Sequence, residues 1–481
     1  MNPKVIQKIL GLLLSVFSLV LVPPFLISLW LKESTTTAFL LAIAATVGAG
    51  MALWLPVRKV NRELKLRDGF VIVVLFWLVL GVTGAIPFVL AQDMRVADAV
   101  FESVSGLTTT GATVIVGIES LPTSIQFYRH LLQWLGGMGI IVLAVAILPM
   151  LGVGGMQLYR AETPGPMKDS KLTPRITETA KALWYIYLSL TIACALAYYL
   201  AGMSFFDALC HSFSTVAIGG FSTHDNSLGY FDSVAIESVA IIFMFIAAIN
   251  FSLHFLGWRF RNAKPYLYDS ELRAFAALLM LVFLCCWLGL AVFYPQTSWL
   301  ENLRHAMFQT ISIGTTTGYT TTSFQAWPSF LPLVLLFMSF IGGCAGSTAG
   351  GIKVVRMLLL FKQGVREIKR LVHPSAIIVI RVGDRPISDR VVEAVWGFFA
   401  AYVAIFVLLM LAILATGLDQ VTAFSAVAAC LNNLGPGLGE VSYNYQNIPA
   451  AAKYLLAFAM LLGRLEIFTL LVLLSPTFWR S

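Results

Sequence analysis

The sequence predicts an all-α polytopic membrane protein. Four fused helix–loop–helix repeats surround a pseudo-fourfold axis, and two transmembrane helices precede them at the N-terminus. The first observation behind this is composition. The chain is 58% hydrophobic and 12% charged, with a mean hydropathy of +0.84, far from a soluble domain. The second is the number of apolar runs long enough to cross a hydrocarbon core, which takes roughly 20 residues. Ten fall near 8–31, 36–57, 69–91, 125–151, 182–203, 233–257, 272–295, 328–361, 391–416 and 450–476. The third is a recurring element, a short polar segment that leaves an apolar run and ends in a glycine-centred turn.

That element occurs four times, as Asp98 to Thr113, Asp207 to Ser222, His305 to Thr320 and Thr422 to Gly437. Its turn glycines are Gly111, Gly220, Gly318 and Gly435, and twelve residues before each stands an alanine: Ala99, Ala208, Ala306 and Ala423. Eight of the ten runs flank the four turns in pairs. The expected units are 1–68 for the two N-terminal helices, then repeats over 69–155, 182–260, 272–362 and 391–481. Lys4 and Lys8 precede the first run as in a signal peptide. That run is a full span long and lacks a small-residue cleavage site, so it reads as a retained helix.

The basic residues set the orientation. All but six of the 32 lysines and arginines fall at the termini or in connections 58–67, 160–181, 259–273 and 353–390, all on one side of a ten-span chain. The six others are Lys32, Arg95, Arg129, Arg304, Lys453 and Arg464, the first five read as opposite-face charges and the last as lying within a span. The positive-inside rule therefore places both termini in the cytoplasm and the four turns at the outer face. The net charge of +8 is this asymmetry and requires no nucleic acid. Polar connections are too short for a soluble enzymatic domain. Six cysteines in apolar or re-entrant segments lack metal-ligand spacing and read as buried thiols. No histidine pair has the spacing of a metalloenzyme motif.

A dehydrated monovalent cation needs oxygens in place of its water, and rings of backbone carbonyls supply them. An extended turn with oxygens aimed at an axis needs φ > 0 and no Cβ at the crowded centre, which is glycine's allowance. Irregular backbone at this depth must line water or protein. Hydroxyls of Thr109, Thr110, Thr113, Ser222, Thr316, Thr317 and Thr320 add oxygens or tie the turns to their neighbours. The segment before each turn, about ten residues, is too short to span and reads as a half-helix whose C-terminal carbonyls favour a cation. Asp98 and Asp207 are expected to cap two of these helices, with His305 and Thr422 at the matching positions.

These motifs resemble the Trk/Ktr/HKT superfamily of cation transporters over about residues 69–476. Its repeat is helix, pore loop, helix, fused four times in one chain. The two extra N-terminal helices make the sequence most similar to the bacterial Trk membrane subunit, an inner-membrane protein. The resemblance implies that the filter glycines are Gly111, Gly220, Gly318 and Gly435. Potassium or rubidium would be held by Thr110, Gly111, Ala112, Gly219, Gly220, Phe221, Thr317, Gly318, Tyr319, Leu434, Gly435 and Pro436. Glycine in all four copies implies preference for potassium over sodium, and Asn432-Asn433-Leu434-Gly435-Pro436 makes the ring imperfectly fourfold.

Below the third turn, residues 342–351 hold five glycines, each costing roughly 1 kcal/mol in a helix, so the span is expected to break. The resemblance makes this segment an intramembrane gate, comprising Gly342, Gly343, Gly346, Ser347, Gly350 and Gly351, with Lys353 just beyond. It also places Arg464 in the pore beneath the filter. Arg464 and Glu466, two residues apart, point to different faces and pair poorly. Gly136-Gly137-Met138-Gly139 reads as helix packing, and Asn250 and His254 as inter-helix hydrogen bonders. The basic stretch from Lys362 to Arg390 reads as a lipid-headgroup face. By resemblance it also lies near a docking surface for a cytoplasmic TrkA-type nucleotide-binding ring under a homodimer. No organic cofactor is expected in the chain, since Gly152-Val153-Gly154-Gly155 does not follow a strand. Two alternatives stand beside a potassium pathway. One is an obligatory symporter with protons or sodium on the same scaffold. The other is an intramembrane enzyme using Ser347.

Overall fold

The computed structural model describes residues 2–60, 66–139, 176–383 and 385–479. Helices α1 (Pro3–Phe17) and α2 (Val22–Trp30), joined by one 3-10 turn, form a single span. Pro23 and Pro24 fall in the first turn of α2, where a missing N–H costs nothing. There follow α3 (Thr36–Trp54), α4 (Leu66–Thr83) and α5 (Ile86–Gln92). The rest of the chain repeats one pattern. A long helix leads to a short one, a turn, and a helix that does not run straight.

The short helices are α6 (Val96–Leu107) and, after α7 (Thr123–Trp134) and the long α8 (Ile176–Leu200), α9 (Phe205–Val216). Next come α10 (Val234–Ala247), α11 (Phe251–Phe260), α12 (Lys264–Tyr268) and α13 (Ser270–Phe293), then the third short helix, α14 (Trp299–Gly314). After α15 (Leu331–Ile341), α16 (Val354–Val372) and α17 (Asp389–Leu414) comes the fourth, α18 (Gln420–Leu431). The chain ends with α19 (Ala450–Arg464), α20 (Phe468–Leu474) and α21 (Pro476–Trp479). A two-residue ribbon, β1 (Arg381–Val382) against β2 (Arg385–Pro386), is a small exception to the all-α expectation.

Each long helix packs on the short helix that follows it: α4 on α6, α8 on α9, α13 on α14 and α17 on α18. Each helix after a turn packs on the next short helix: α7 on α9, α10 on α14 and α15 on α18. The last, α19, packs on α6, which closes a circle. Ion pairs follow the same circle. Arg304 of α14 reaches Glu237 of α10 at 2.8 Å, and Lys453 of α19 reaches Asp98 of α6 at 2.5 Å.

Six segments are long and apolar enough to cross a membrane, and two bent helix pairs would bring the number to eight, among the described residues. The helices after the turns are where the expected spans depart from straight helices. The first, α7, runs into a π-helical turn at Leu135–Gly139, beyond which the predicted 125–151 span lies outside the described residues. So do Gly152-Val153-Gly154-Gly155 and most of the basic 160–181 connection. The second bends by 93° between α10 and α11, and the fourth by 112° between α19 and α20. The third is interrupted by the glycine-rich segment, as expected.

Asn250 is therefore not an inter-helix bonder in a continuous helix. It caps α11, accepting from the Ser252 N–H at 2.8 Å. His254 is a bonder, to the Tyr266 hydroxyl and the Ile246 carbonyl, each at 3.0 Å. Glu466 and Ile467 open the fourth bend with left-handed φ of 52° and 55°. Arg464 and Glu466 do turn apart: Glu466 pairs with Arg356, whose guanidinium also lies 4.3 Å from the Phe398 ring centre. All six cysteines are thiols, five buried and Cys285 partly so.

The cap expectation also needs correction. Ser204 caps α9, accepting from the Asp207 N–H at 3.0 Å, and Asp419 caps α18 through Val421 and Thr422. Asp98 sits in the first turn of α6 without capping it. Because α14 starts at Trp299, His305 lies well inside that helix, and Thr422 inside α18. Replacing Ser204 with alanine leaves the α9 N-terminus uncapped. It should destabilise the protein by about 1 kcal/mol, read as a lowered melting temperature in detergent.

Candidate functional site

Each short helix ends in one hydrogen-bond pattern, in which the second residue past its C-cap reaches back over a full turn. Thr110 N–H donates to Ser105 O at 2.9 Å, and Gly219, Thr317 and Leu434 donate to Ser214, Ser312 and Ala429, each at 2.8 Å. This closure needs one left-handed residue. The four that supply it are Thr109, Ile218, Thr316 and Asn433, with φ of 57°, 55°, 65° and 54°. Branched residues avoid this region, and such strain collects at functional sites. Two residues on, Gly111, Gly220, Gly318 and Gly435 are again left-handed, at 80°, 75°, 82° and 95°. Alternating hand turns successive carbonyls to one side, as a carbonyl ring requires.

The four turns meet. A Cβ on Gly111 would collide with the Gly219 carbonyl, one on Gly220 with Thr317 O, and one on Gly318 with Leu434 O. One on Gly435 would stand 2.8 Å from Thr110 O, which closes the ring. Above it lies a small, partly open cavity bordered by all four glycines. Of the other candidate residues, Ala112, Phe221 and Pro436 line this cavity. Thr110, Gly219, Thr317 and Leu434 form the layer beneath, their carbonyls against the neighbouring glycines. Tyr319 departs from expectation. Its carbonyl accepts from Ser312 Oγ at 2.6 Å and its hydroxyl donates to His211 O at 3.3 Å, behind the turn. Gly219 O and Gly435 O also accept side-chain bonds, from Gln133 Nε2 at 2.6 Å and the Tyr445 hydroxyl at 2.7 Å. A second lone pair remains on each.

Several turn hydroxyls tie the turns to their neighbours. Thr110 Oγ1 bonds Thr108 and Asn433, Thr317 bonds Thr315, and Thr316 Oγ1 accepts from the Gly350 N–H at 2.7 Å. The strongest tie is an ion pair the sequence did not disclose. Arg129 Nε and Glu102 Oε1 lie 2.9 Å apart, both side chains fully buried. Glu102 also accepts from Thr113 Oγ1 and the Val114 N–H, each at 3.0 Å. Arg129 donates to Ser222 O at 3.3 Å, and its guanidinium lies 4.3 Å from the Phe221 ring centre. The pair thus joins the first turn to the second. Arg129, Lys453 and Arg304 all lie in helices with carboxylate partners. A charge within the apolar 125–151 run is the sequence signal for Arg129.

Beneath the ring lies the glycine-rich segment. It leaves α15 at Gly342 (φ 67°), and Gly346, Gly351 and Lys353 are also left-handed. Its contacts reach the second and fourth repeats. Thr348 Oγ1 donates to Val216 O at 3.0 Å, Cys344 N–H to Ala248 O at 3.0 Å, and Gly351 N–H to Asn432 O at 3.1 Å. Gly343 faces Ala248 O, and a Cβ on Gly350 would collide with Asn432 O. Ser347 Oγ is engaged by the Cys344 carbonyl at 2.6 Å, and the buried Lys353 ammonium by Ala349 O.

Arg464 joins this segment to the ring. It donates to Thr109 Oγ1 at 3.3 Å, to Thr348 O at 3.4 Å, and to the carbonyls of Gly136 and Gly137. Those two belong to the π-helical turn, where the shifted pattern frees carbonyls. Gly136 is also a packing position, since a Cβ there would collide with Leu107 O. The basic stretch beyond is less uniform than expected. Arg366 is buried against Asp389 at 2.6 Å, and Lys362 holds Arg381 O at 2.5 Å.

Removing one partner of the buried pair should be costly. Glu102→Gln is expected to lose about 3 kcal/mol, read by thermal unfolding. The double change with Arg129→Met should lose less than the sum of the two single changes.

Residues 35–481 match the family model TrkH, described as "Cation transport protein". The chain is 58% identical over 480 residues to a Trk system potassium uptake protein TrkH of Vibrio parahaemolyticus, covering 99% of each chain. It is 55% identical to the Escherichia coli K12 TrkH over all of both chains, and 42% identical to TrkG of the same strain. The crystal structure of the potassium transporter TrkH from Vibrio parahaemolyticus superposes with a TM-score of 0.91, at 55% identity over both full chains. With the family model covering nearly the whole length, the chain belongs to the TrkH family of cation transport proteins.

Proposed function

We propose that the protein takes up potassium across a bacterial inner membrane, through a filter formed by the four glycine turns. The observation that carries this is the closed ring in which each turn glycine seats against the carbonyl of the next turn. Relatives of this length and identity are named potassium uptake proteins. The ring offers a dehydrated cation the oxygens of Thr110, Gly111, Gly220, Thr317, Gly318 and Leu434, among others. Four short helices add to the attraction, since their C-terminal ends point at the layer beneath. Repeats over 69–155, 182–260, 272–362 and 391–481 each supply one turn. The positive-inside rule puts the turns at the outer face and both termini in the cytoplasm.

A cation leaving the ring meets Arg464 and the 342–351 segment. Arg464 repels a resting ion, and the segment blocks the path until it moves. The segment's contacts are mainly single hydrogen bonds to backbone, each worth about 1 kcal/mol, which suits a gate that opens without unfolding. Regulation comes from a cytoplasmic TrkA-type nucleotide-binding ring acting on a homodimer, the basic 362–390 stretch lying near its docking surface and membrane lipid.

Rubidium uptake in potassium-requiring cells tests the filter. Gly111→Ser and Gly318→Ser should each lower selectivity for rubidium over sodium by tenfold or more, because an added side chain displaces a neighbouring carbonyl. Unchanged selectivity in both would remove the filter assignment. Deleting 342–351 should raise flux and abolish its dependence on the regulatory ring, and unchanged flux would leave that segment a packing element. Stepwise single-channel currents at fixed potential would exclude the tightly coupled symporter.

A further inference from the structure

We propose that Glu271 is the latch that sets the resting position of the intramembrane loop, an inference that rests on reading that loop as a gate. Glu271 stands in the first turn of α13 and is only 8% exposed. A single carboxylate oxygen, Oε1, accepts the Ala345 N–H at 2.7 Å and the Val355 N–H at 3.1 Å. These two donors belong to different parts of the gate. Ala345 lies inside the glycine-rich segment, and Val355 is the second residue of α16, where the chain has become helical again. A helix N-terminus leaves its first N–H groups without partners in the helix, and an irregular loop does the same. One anionic acceptor from another helix therefore clamps the loop at both places.

Other hydrogen bonds of the loop run to Val216, Asn432 and Thr316 at the bases of the turns and to Ala248 and Phe251 at the bend between α10 and α11. Glu271 ties it instead to a long spanning helix. Hydrogen bonds to a charged acceptor are the stronger kind, worth more than neutral ones where water is excluded. Asp269 stands at the same helix N-terminus, and the buried Lys353 ammonium is already held by Ala349 O. Losing the carboxylate therefore moves the balance between loop positions without stranding a buried charge, since that ammonium keeps its own partner.

The latch also has a mechanical root. Two residues before Glu271, Asp269 caps α13 by accepting the Leu272 N–H at 2.7 Å. The preceding elbow, α12, is fastened to α11 through the Tyr266 hydroxyl and His254, with Gly257 leaving room for the tyrosine ring. Leu267 and Tyr268 on that elbow are 69% and 74% exposed. A displacement of the elbow carries the start of α13, and hence Glu271, away from the loop.

The test is rubidium flux into proteoliposomes holding the purified protein alone, comparing the parent, Glu271→Ala, Glu271→Gln and the 342–351 deletion. Glu271→Ala should raise basal flux by at least roughly tenfold, the factor expected from losing one charge-assisted hydrogen bond. Selectivity for rubidium over sodium should stay at the parent value, because the ring is untouched. Glutamine keeps an oxygen but not the charge, so Glu271→Gln should give a smaller rise. It also decides the matter if the alanine variant does not fold. A misfolded protein would not gain selective flux, so the rise separates a latch from a merely structural carboxylate. If the deletion raises flux and neither Glu271 variant does, the latch is overturned and the gate stands. If the deletion leaves flux unchanged, the gate reading fails and the latch with it.

Discussion

Four backbone-to-backbone contacts hold this structure to its axis. At Gly111, Gly220, Gly318 and Gly435 the Cα sits where any side chain would meet the neighbouring turn's backbone. Two demands coincide at each position, a left-handed φ and no Cβ, and glycine alone meets both without strain. The short helices exist to deliver these turns, and the helices after the turns brace the next short helix around the circle. Every element from α4 onward can be described by how far it stands from that ring.

A ring of carbonyls is electrostatically unstable when empty, since like dipoles crowd together. The surrounding side chains answer that crowding. Gln133 and the Tyr445 hydroxyl donate to ring carbonyls from behind, and the Glu102–Arg129 pair fastens two adjacent turns. Buried pairs of this kind specify geometry more surely than they add stability. Beneath the ring the charges are arranged differently. Arg464 is spread over four oxygen partners from three segments, and Arg356 and Glu466 pair beside it. The region is held by many partial attachments.

Unequal copies make the region beneath the ring asymmetric. Each helix after a turn is interrupted or distorted below the ring within the described residues, yet each by a different device: a π-turn, a capped bend at Asn250, a glycine-rich loop, and a left-handed step at Glu466. The loop of the third copy reaches the bases of the second and fourth, and Arg464 of the fourth reaches the first. The ring draws on all four copies, while the contacts beneath it come unequally from them.

Glycine spacing, the ten apolar runs and the break at 342–351 were legible in sequence because each is a local property of chain chemistry. Backbone that must be left-handed and bare selects glycine wherever it occurs, and a membrane selects long apolar runs regardless of partners. The bends at Asn250 and Glu466 were not legible, since both lie in apolar stretches that satisfy a helix by composition. Nor were the partners of Arg129 and Glu271. A charge in an apolar run, as Arg129 is, announces that a partner exists, but that partner stands 27 residues away, and Glu271, just ahead of a run, meets a loop more than 70 residues away. By itself the sequence determined the membrane class, the four turns and the place where the third span opens. Only the tertiary structure decided which carbonyl each glycine faces and which carboxylate holds the loop, because those depend on how separate segments close around a common axis.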